Sequence, residues 1–320
     1  MEKKFSFVQF ACVLLACTAL VSAGIAWYVH HLTLGLEKET LSVLREFAAQ
    51  DAQHIEMQVA EDLNLLSAIA SSIAVLPDPT EAELLELLQV ERRQNHFKNM
   101  EFIGPDGIAK LDNGQILDLS NGENFQRTLK GTGGISSRVV DLVDGTSILV
   151  EMVPIWYRDK VIGVLAGTHH TAEFAKSLDM QSFNGNGYSL LVEADGDKVV
   201  ESFHKNAVSG LYNIFDMPDD PDHKLRDQVL KDFAARKSGI VKYNSKQRGI
   251  LYASYQPLNI NDWYLISVVP EKFIIQITQN FITLLPVLCL LVALAAFLLG
   301  CYIWHVWPAL KRSITHPHEA

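Results

Sequence analysis

Cysteine is scarce in this 320-residue chain, and where it occurs it avoids the middle: Cys12, Cys17, Cys289 and Cys301 all lie near the two ends. The long central segment therefore folds without disulfides and must bury a true apolar core. Charge is missing from the same two places. Residues 5–29 and 275–307 are nearly free of it, and each holds at least the ~20 apolar residues that a membrane-spanning helix needs. A cleaved signal peptide is the alternative for the first run, but an h-region is only ~7–15 residues long and this run is longer. Leu14-Leu15-Ala16-Cys17 faintly resembles a lipoprotein cleavage site, yet apolar sequence continues well past it. Nucleophile elbow, P-loop, metalloprotease helix and dinucleotide fingerprint are all lacking, so no catalytic residue and no cofactor is implied.

Positive charge flanks both apolar runs on their outer sides. Lys3 and Lys4 precede the first apolar run, and Lys311 and Arg312 follow the second. Positive-inside bias then places residues 1–4 and 308–320 in the cytoplasm and the middle in the periplasm, with residues 5–30 and 275–307 crossing the inner membrane. Residues 31–280 carry 23 Lys+Arg against 35 Asp+Glu, a net charge of −12. Nucleic acid is excluded as a partner on that ground, and the bilayer is met through the apolar ends.

The pattern that is present begins with one helix. Leu41, Leu44, Ala48, Ala52, Ile55, Val59, Leu63, Leu66, Ala70 and Ile73 recur at spacings of three and four up to Pro77, a single apolar stripe over residues 31–78. Asp51, Glu56 and Glu61 fall off that stripe, on what should be a solvated face. Thr80 and Glu83 read as a capping box opening a helix over residues 80–97. Residues 100–111 read as two strands around Gly104-Pro105-Asp106-Gly107, and residues 122–129 as a short helix. A strand is expected at residues 136–143. The apolar runs 147–156 and 161–168, separated by Tyr157-Arg158-Asp159-Lys160, form a hairpin, followed by a helix over residues 171–180.

The chain then repeats itself. Phe102-Ile103-Gly104-Pro105-Asp106-Gly107 is echoed by Leu191-Val192-Glu193-Ala194-Asp195-Gly196, Gly134-Ile135 by Gly239-Ile240, and the hairpin with Pro154 by a second with Pro257. Three landmarks in one order indicate two related modules, over residues 79–180 and 181–274. The motifs Phe125-Gln126-Arg127-Thr128-Leu129-Lys130-Gly131, Gly134-Ile135-Ser136, Val153-Pro154-Ile155 and residues 161–168 resemble the double Cache (dCache) extracytoplasmic sensor domain. That family serves bacterial chemoreceptors, sensor kinases and diguanylate cyclases.

The resemblance implies an α+β fold: two PAS-like modules with antiparallel sheets on one long N-terminal helix, between two transmembrane helices. It implies a receptor that binds a small molecule and signals through those helices; the apolar stripe of the long helix itself points to a homodimer formed along it. Two alternatives stay open: the sensor part of a diguanylate cyclase or other signalling enzyme, and an ectodomain that contacts a protein and takes no small ligand. In amino-acid-binding members, an Arg with aromatic residues near the short helix clamps the carboxylate, a Tyr follows, and an Asp beyond the last hairpin takes the amine. The matching places here hold Gly122 and Asn124, then Val139, then His170, which implies a ligand other than an α-amino acid.

Six residues are candidate ligand-binding groups in the distal module: Asn124, Arg127, Arg138, Glu151, His169 and His170. Glu151 sits in an apolar strand and faces either a pocket or, by alternation, solvent. His169 and His170 end a strand and could line a pocket or sense pH. His169 with Glu173 also has the spacing of a metal pair, but so few donors do not make a metal site. Arg127 and Arg138 would suit an anion or sit on the surface. Tyr243, Tyr252, Tyr255, Trp263 and Tyr264 read as core aromatics of the second module, with a second pocket as the lesser reading.

Overall fold

The structure, a computed structural model, describes residues 7–76, 80–178, 185–205, 207, 212–216, 224–245, 248–273, 287, 289–295 and 297–302. The chain divides into two compact units, one of Met1–Ser42 with Lys272–Ala320, the other of Val43–Glu271. Among the described residues no helix is long and apolar enough to cross a membrane. Much of the apolar run over residues 275–307 lies outside them.

Helix α1 spans Phe7–Ala74 and stops just before Pro77, whose ring and missing N–H cannot continue it. Within Val43–Glu271 its predicted stripe is the buried one: Leu44, Ala48, Ala52, Ile55, Val59, Leu66, Ala70 and Ile73 are all within 5% of full burial. Glu56 is not merely solvated. Its Oε1 accepts a hydrogen bond from the backbone N–H of Asn259 at 2.5 Å, which ties the helix to the second sheet.

Helix α2 (Glu81–Asn95) opens with the expected capping box. Thr80 Oγ1 accepts from Glu83 N–H and Glu83 Oε2 from Thr80 N–H, so two orphan donors are satisfied reciprocally. Thr80→Ala should lower unfolding free energy by about 1 kcal/mol, seen as a drop in Tm of roughly 2–4 °C. An unchanged melting curve would mean that α2 is held by packing alone.

The first sheet contains β1 (Asn99–Ile103), β2 (Ile108–Leu111), β3 (Ile116–Asp118), β4 (Gly134–Ile135), β5 (Val139–Val140), β6 (Ser147–Tyr157) and β7 (Lys160–His170), in the order β3-β2-β1-β7-β6-β4 with β5 also on β6. The β6–β7 turn has two residues with positive φ, Arg158 and Asp159, the backbone that matches strand twist in a two-residue hairpin. Helix α3 (Glu123–Leu129) precedes β4, and α4 (Thr171–Ser177) follows β7. The strand expected over residues 136–143 is broken instead. Asp141 and Asp144 accept hydrogen bonds from the backbone N–H groups of Val143 and Thr146, bending the chain away from the ladder.

The second sheet contains β8 (Tyr188–Val192), β9 (Lys198–Val200), β10 (Gly239–Ser245), β11 (Gly249–Pro257) and β12 (Tyr264–Pro270), in the order β10-β11-β12-β8-β9. Helix α5 (Lys224–Ala234) lies before β10 as α3 lies before β4. Reading β8 for β1, β9 for β2, β10 for β4, β11 for β6 and β12 for β7 reproduces the connectivity of the first sheet, so the sequence repeat is a repeat of topology. One apolar cluster joins α1 (Ala52, Ile55, Val59), Leu149 of the first sheet, Phe174 of α4, and Leu191, Trp263 and Leu265 of the second. The second-module aromatics are core: Trp263, Tyr264, Tyr255, Tyr252 and Tyr243 are buried.

Candidate functional site

The first sheet has two covered faces, and they differ in chemistry. Met100, Val153, Ile155 and Leu165 pack against α1 and α2, together with Leu66, Ile69 and Leu88. Ile103, Leu111, Ile148, Val150, Met152, Val164 and Ala166 form the opposite face, with Phe125 of α3 over it. Each face holds buried ionisable groups.

On the α3 face, pairing places Gly134, Met152, Ala166, Glu101 and Leu111 in one row across β4, β6, β7, β1 and β2. Arg127, in the last turn of α3, stands at one end of that row. A Cβ on Gly134 would come 3.0 Å from its guanidinium, so glycine is what lets the side chain lie over the strand. Its Nε is buried without a hydrogen-bond partner. Glu101 stands toward the other end, 5% exposed. Burial, then Asp141 and Asp112, pushes its carboxyl up to about 7 against the pull of Lys98. Three inter-strand steps separate Gly134 from Glu101, about 14 Å of backbone at ~4.8 Å per step.

The acidic end is wired by Lys98. Its ammonium donates to Asp141 Oδ2, to Asp144 Oδ1 at 2.9 Å and to Thr146 Oγ1 at 2.8 Å. Asn99 Nδ2 donates to the same Asp141 oxygen at 3.4 Å. Asn124, the other candidate on α3, is half-buried, and its backbone carbonyl accepts from Thr128 Oγ1.

The remaining candidates lie elsewhere. Glu151 meets neither expectation, since it is 0% exposed and shares with Leu149 and Val153 the face toward α1. Its Oε2 lies 3.7 Å from His169 Nε2, which lies 3.7 Å from Asp62 Oδ2 on α1. Burial raises Glu151, with His169 opposing and Asp62 adding. Burial alone would lower His169, but Glu151, Asp62 and Glu173 outweigh it and its pKa is raised. His169 thus turns to Asp62 and Glu151 rather than pairing with the exposed Glu173. His170 occupies the N-cap position of α4 without a side-chain cap hydrogen bond and lines an open cleft with Arg92, Arg93, His96, Lys98 and Glu173. Arg138 stacks its guanidinium 4.5 Å from the ring centroid of Tyr212, next to the second sheet, where it braces the two modules.

Glu101, Asp141 and Asp62 were not among the sequence candidates, though Asp62 carried a signal. It stands three residues after Val59 and four before Leu66, on the stripe itself. A further, partly open cavity lies in the second module. About 120 Å³ is lined by Tyr188, Leu190, Val229, Tyr243, Tyr255 and Ile266, with Lys198, Glu201 and Arg226 also at its wall.

No protein-family model and no curated protein matches the sequence. Solved structures do. The ligand-binding domain of the Pseudomonas fluorescens chemoreceptor CtaA, in complex with L-isoleucine, aligns with a TM-score of 0.59 at 16% identity over 78% of this chain and 98% of that one. That of the Pseudomonas aeruginosa amino acid chemoreceptor PctC, in complex with GABA, gives 0.53 at 18% identity over 72% and 100%. The extracellular domain of mmHK1S-Z3, assigned as a histidine kinase, gives 0.59 at 12% over 75% and 97%.

These neighbours overturn the expectation of a ligand other than an α-amino acid, because CtaA was also solved with L-serine and L-leucine, and the Campylobacter jejuni receptor Tlp3 with 4-methylisoleucine. The physical reason is positional. The guanidinium absent at residues 122 and 124 stands one turn later, at Arg127 over Gly134, and the carboxylate absent at residue 170 has buried counterparts at Glu101 and at Asp141, the latter held by Lys98. At these identities the likeness is one of architecture: the chain has the fold of the double Cache extracytoplasmic sensor domain.

Proposed function

We propose that the chain is a membrane-anchored periplasmic receptor whose distal module holds a small zwitterion, an amino acid or ω-amino acid, on the α3 face of its first sheet. The observation that carries this reading is the single cross-sheet row with Arg127 at one end and Glu101 toward the other. A guanidinium suits a carboxylate, and buried carboxylates lack a second cation that an ammonium would supply. Met152 in the middle of the row is unbranched and adaptable, the side chain best able to yield space. Anchoring is supported by the apolar runs over residues 5–30 and 275–307 with Lys3, Lys4, Lys311 and Arg312 outside them. It is also supported by exposed apolar side chains such as Leu20, Trp27, Leu290 and Leu299. Ligand would shift the balance of α1 arrangements only by its differential affinity for them.

A second reading places the ligand in the partly open cavity of the second module, favoured by its apolar lining with a few charges at the wall. Thermal unfolding of the full chain in detergent separates the two, with L-isoleucine, L-serine and GABA as probes. Occupancy at about a hundred times Kd should add about 2.7 kcal/mol. Loss of that gain in Arg127→Ala but not in Ala253→Phe, which fills the second cavity, supports the distal site. The reverse pattern moves the ligand to the second module. No response to any probe in the wild type sinks the amino-acid reading.

A further inference from the structure

Asp62, Glu151 and His169 come from three elements, α1, β6 and β7, and meet on the face of the first sheet opposite the proposed ligand row. Their ligating atoms all lie within 4.8 Å of one another. Glu151 is fully buried and neither of its carboxylate oxygens has a hydrogen-bond partner. His169 Nε2 has none either. Such a set is costly as it stands, since an isolated buried carboxylate is disfavoured by several kcal/mol, on the scale of about 3–5 kcal/mol for an uncompensated buried charge.

We propose that Asp62, Glu151 and His169 bind one divalent transition-metal ion, Zn²⁺ being the best fit, and that this ion clamps α1 to the β6–β7 hairpin. The spacing decides between an ion and a shared proton. A charge-assisted bond between imidazole and carboxylate closes to about 2.7–2.9 Å. Both carboxylates stand 3.7 Å from the histidine nitrogen instead. Ligands on a tetrahedral ion at ~2.0–2.1 Å are roughly 3.3 Å apart, so the two histidine–carboxylate pairs are already within a few tenths of an ångström of that spacing, and with all three donors inside 4.8 Å a side-chain movement on the order of an ångström completes the site. The donor set is right for the class, because one neutral imidazole and two carboxylates cancel a 2+ charge. An all-oxygen calcium site would have no use for the imidazole.

The surroundings are arranged to keep the site dry on one side and open on the other. Gly167, the cross-strand partner of Glu151, has no Cβ, and one would come 2.6 Å from the Phe97 ring. That ring can therefore lie against His169, 4.7 Å between centroids. The Asp62 side chain remains 22% exposed, which gives an entry path and room for a water as fourth ligand. Because Asp62 is on α1 and the other two donors are on the hairpin, the bound ion would resist sliding of the helix over the sheet. It would act as an inorganic effector of the signalling helix, independent of what occupies the α3 face.

The test uses the full chain in detergent, stripped with chelator and titrated with Zn²⁺, and with Co²⁺ for its visible absorption. One ion per chain is expected, with the intense bands of tetrahedral Co²⁺ and a raised Tm in Zn²⁺. Asp62→Asn and Glu151→Gln should each weaken binding by at least the ~10–100-fold that loss of a mere supporting group causes, and should abolish the Tm gain. Asp62→Asn sits at the surface side of the site and decides the matter if Glu151→Gln does not fold. Failure of the wild type to take up one ion overturns the proposal. So does affinity unchanged in Asp62→Asn, which would assign binding to surface histidines.

Discussion

Lys98→Met is expected to lower the unfolding free energy of the chain by about 3–5 kcal/mol, the scale for breaking a buried ion pair from one side. The side chain is 10% exposed and that of Asp141 is 4% exposed, so the pair is far from the surface bridges that contribute about 0–1 kcal/mol. Removing the ammonium strands Asp141 beside Glu101 with no cation between them. For a unit of this size the loss should appear as a fall in Tm of roughly 6–20 °C. Burial works against the Lys98 charge, but Asp141 and Asp144 outweigh it and its pKa is raised. Its contribution is therefore fully present below the unfolded value near 10.4 and fades only as pH rises through the higher folded value. The deficit of the variant should accordingly stay constant across neutral pH. Lys98→Met/Asp141→Asn should recover part of it, because the stranded charge is gone. A single variant within about 1 kcal/mol of wild type would show that water reaches the pair after all.

How much of this could be read beforehand depends on which physical signal each feature leaves. The β6–β7 hairpin was legible because two runs of β-branched residues flank a polar turn, and both of its turn residues adopt positive φ. The repeat was legible because glycines at turns keep their order even where the strands between them diverge. The face assignment of Glu151 was not legible. Alternation places it opposite Val150 and Met152, but a sheet covered on both sides has no solvent face, and period two cannot say which cover holds the ligand. Val139 and Val140 failed as part of a longer strand because hydrogen bonds from the aspartates beside them compete with the ladder. Glu101 was readable in principle. In Asn99-Met100-Glu101-Phe102-Ile103 the residues facing with Glu101 are Asn99 and the buried Ile103, so a carboxylate in that register must be buried as well.

Glu101→Gln should change the pH dependence of stability more than any other single substitution on the α3 face. The folded carboxyl titrates at about 7, against an ordinary value of 4.5, chiefly through burial and then through Asp141 and Asp112, with Lys98 opposing. Between those two values the native state holds a proton that the unfolded chain has released. Stability therefore falls as pH rises through this window, by on the order of 3 kcal/mol at about 1.4 kcal/mol per pH unit. Wild type and Glu101→Gln should be similar in the acid range and separate toward neutrality, the variant becoming the more stable. Parallel curves at all pH would mean that the carboxylate is solvated. The same titration links stability to binding. An ammonium seated against Glu101 supplies the missing counter-charge and favours the ionised carboxylate, so an amine-bearing ligand should expel up to one proton when it binds just below neutrality. Calorimetry of GABA or L-isoleucine in buffers of different ionisation enthalpy reads that proton directly. If binding occurs with no proton release in the wild type, or with the same release in Glu101→Gln, the amine is held somewhere other than the row that Glu101 shares with Arg127.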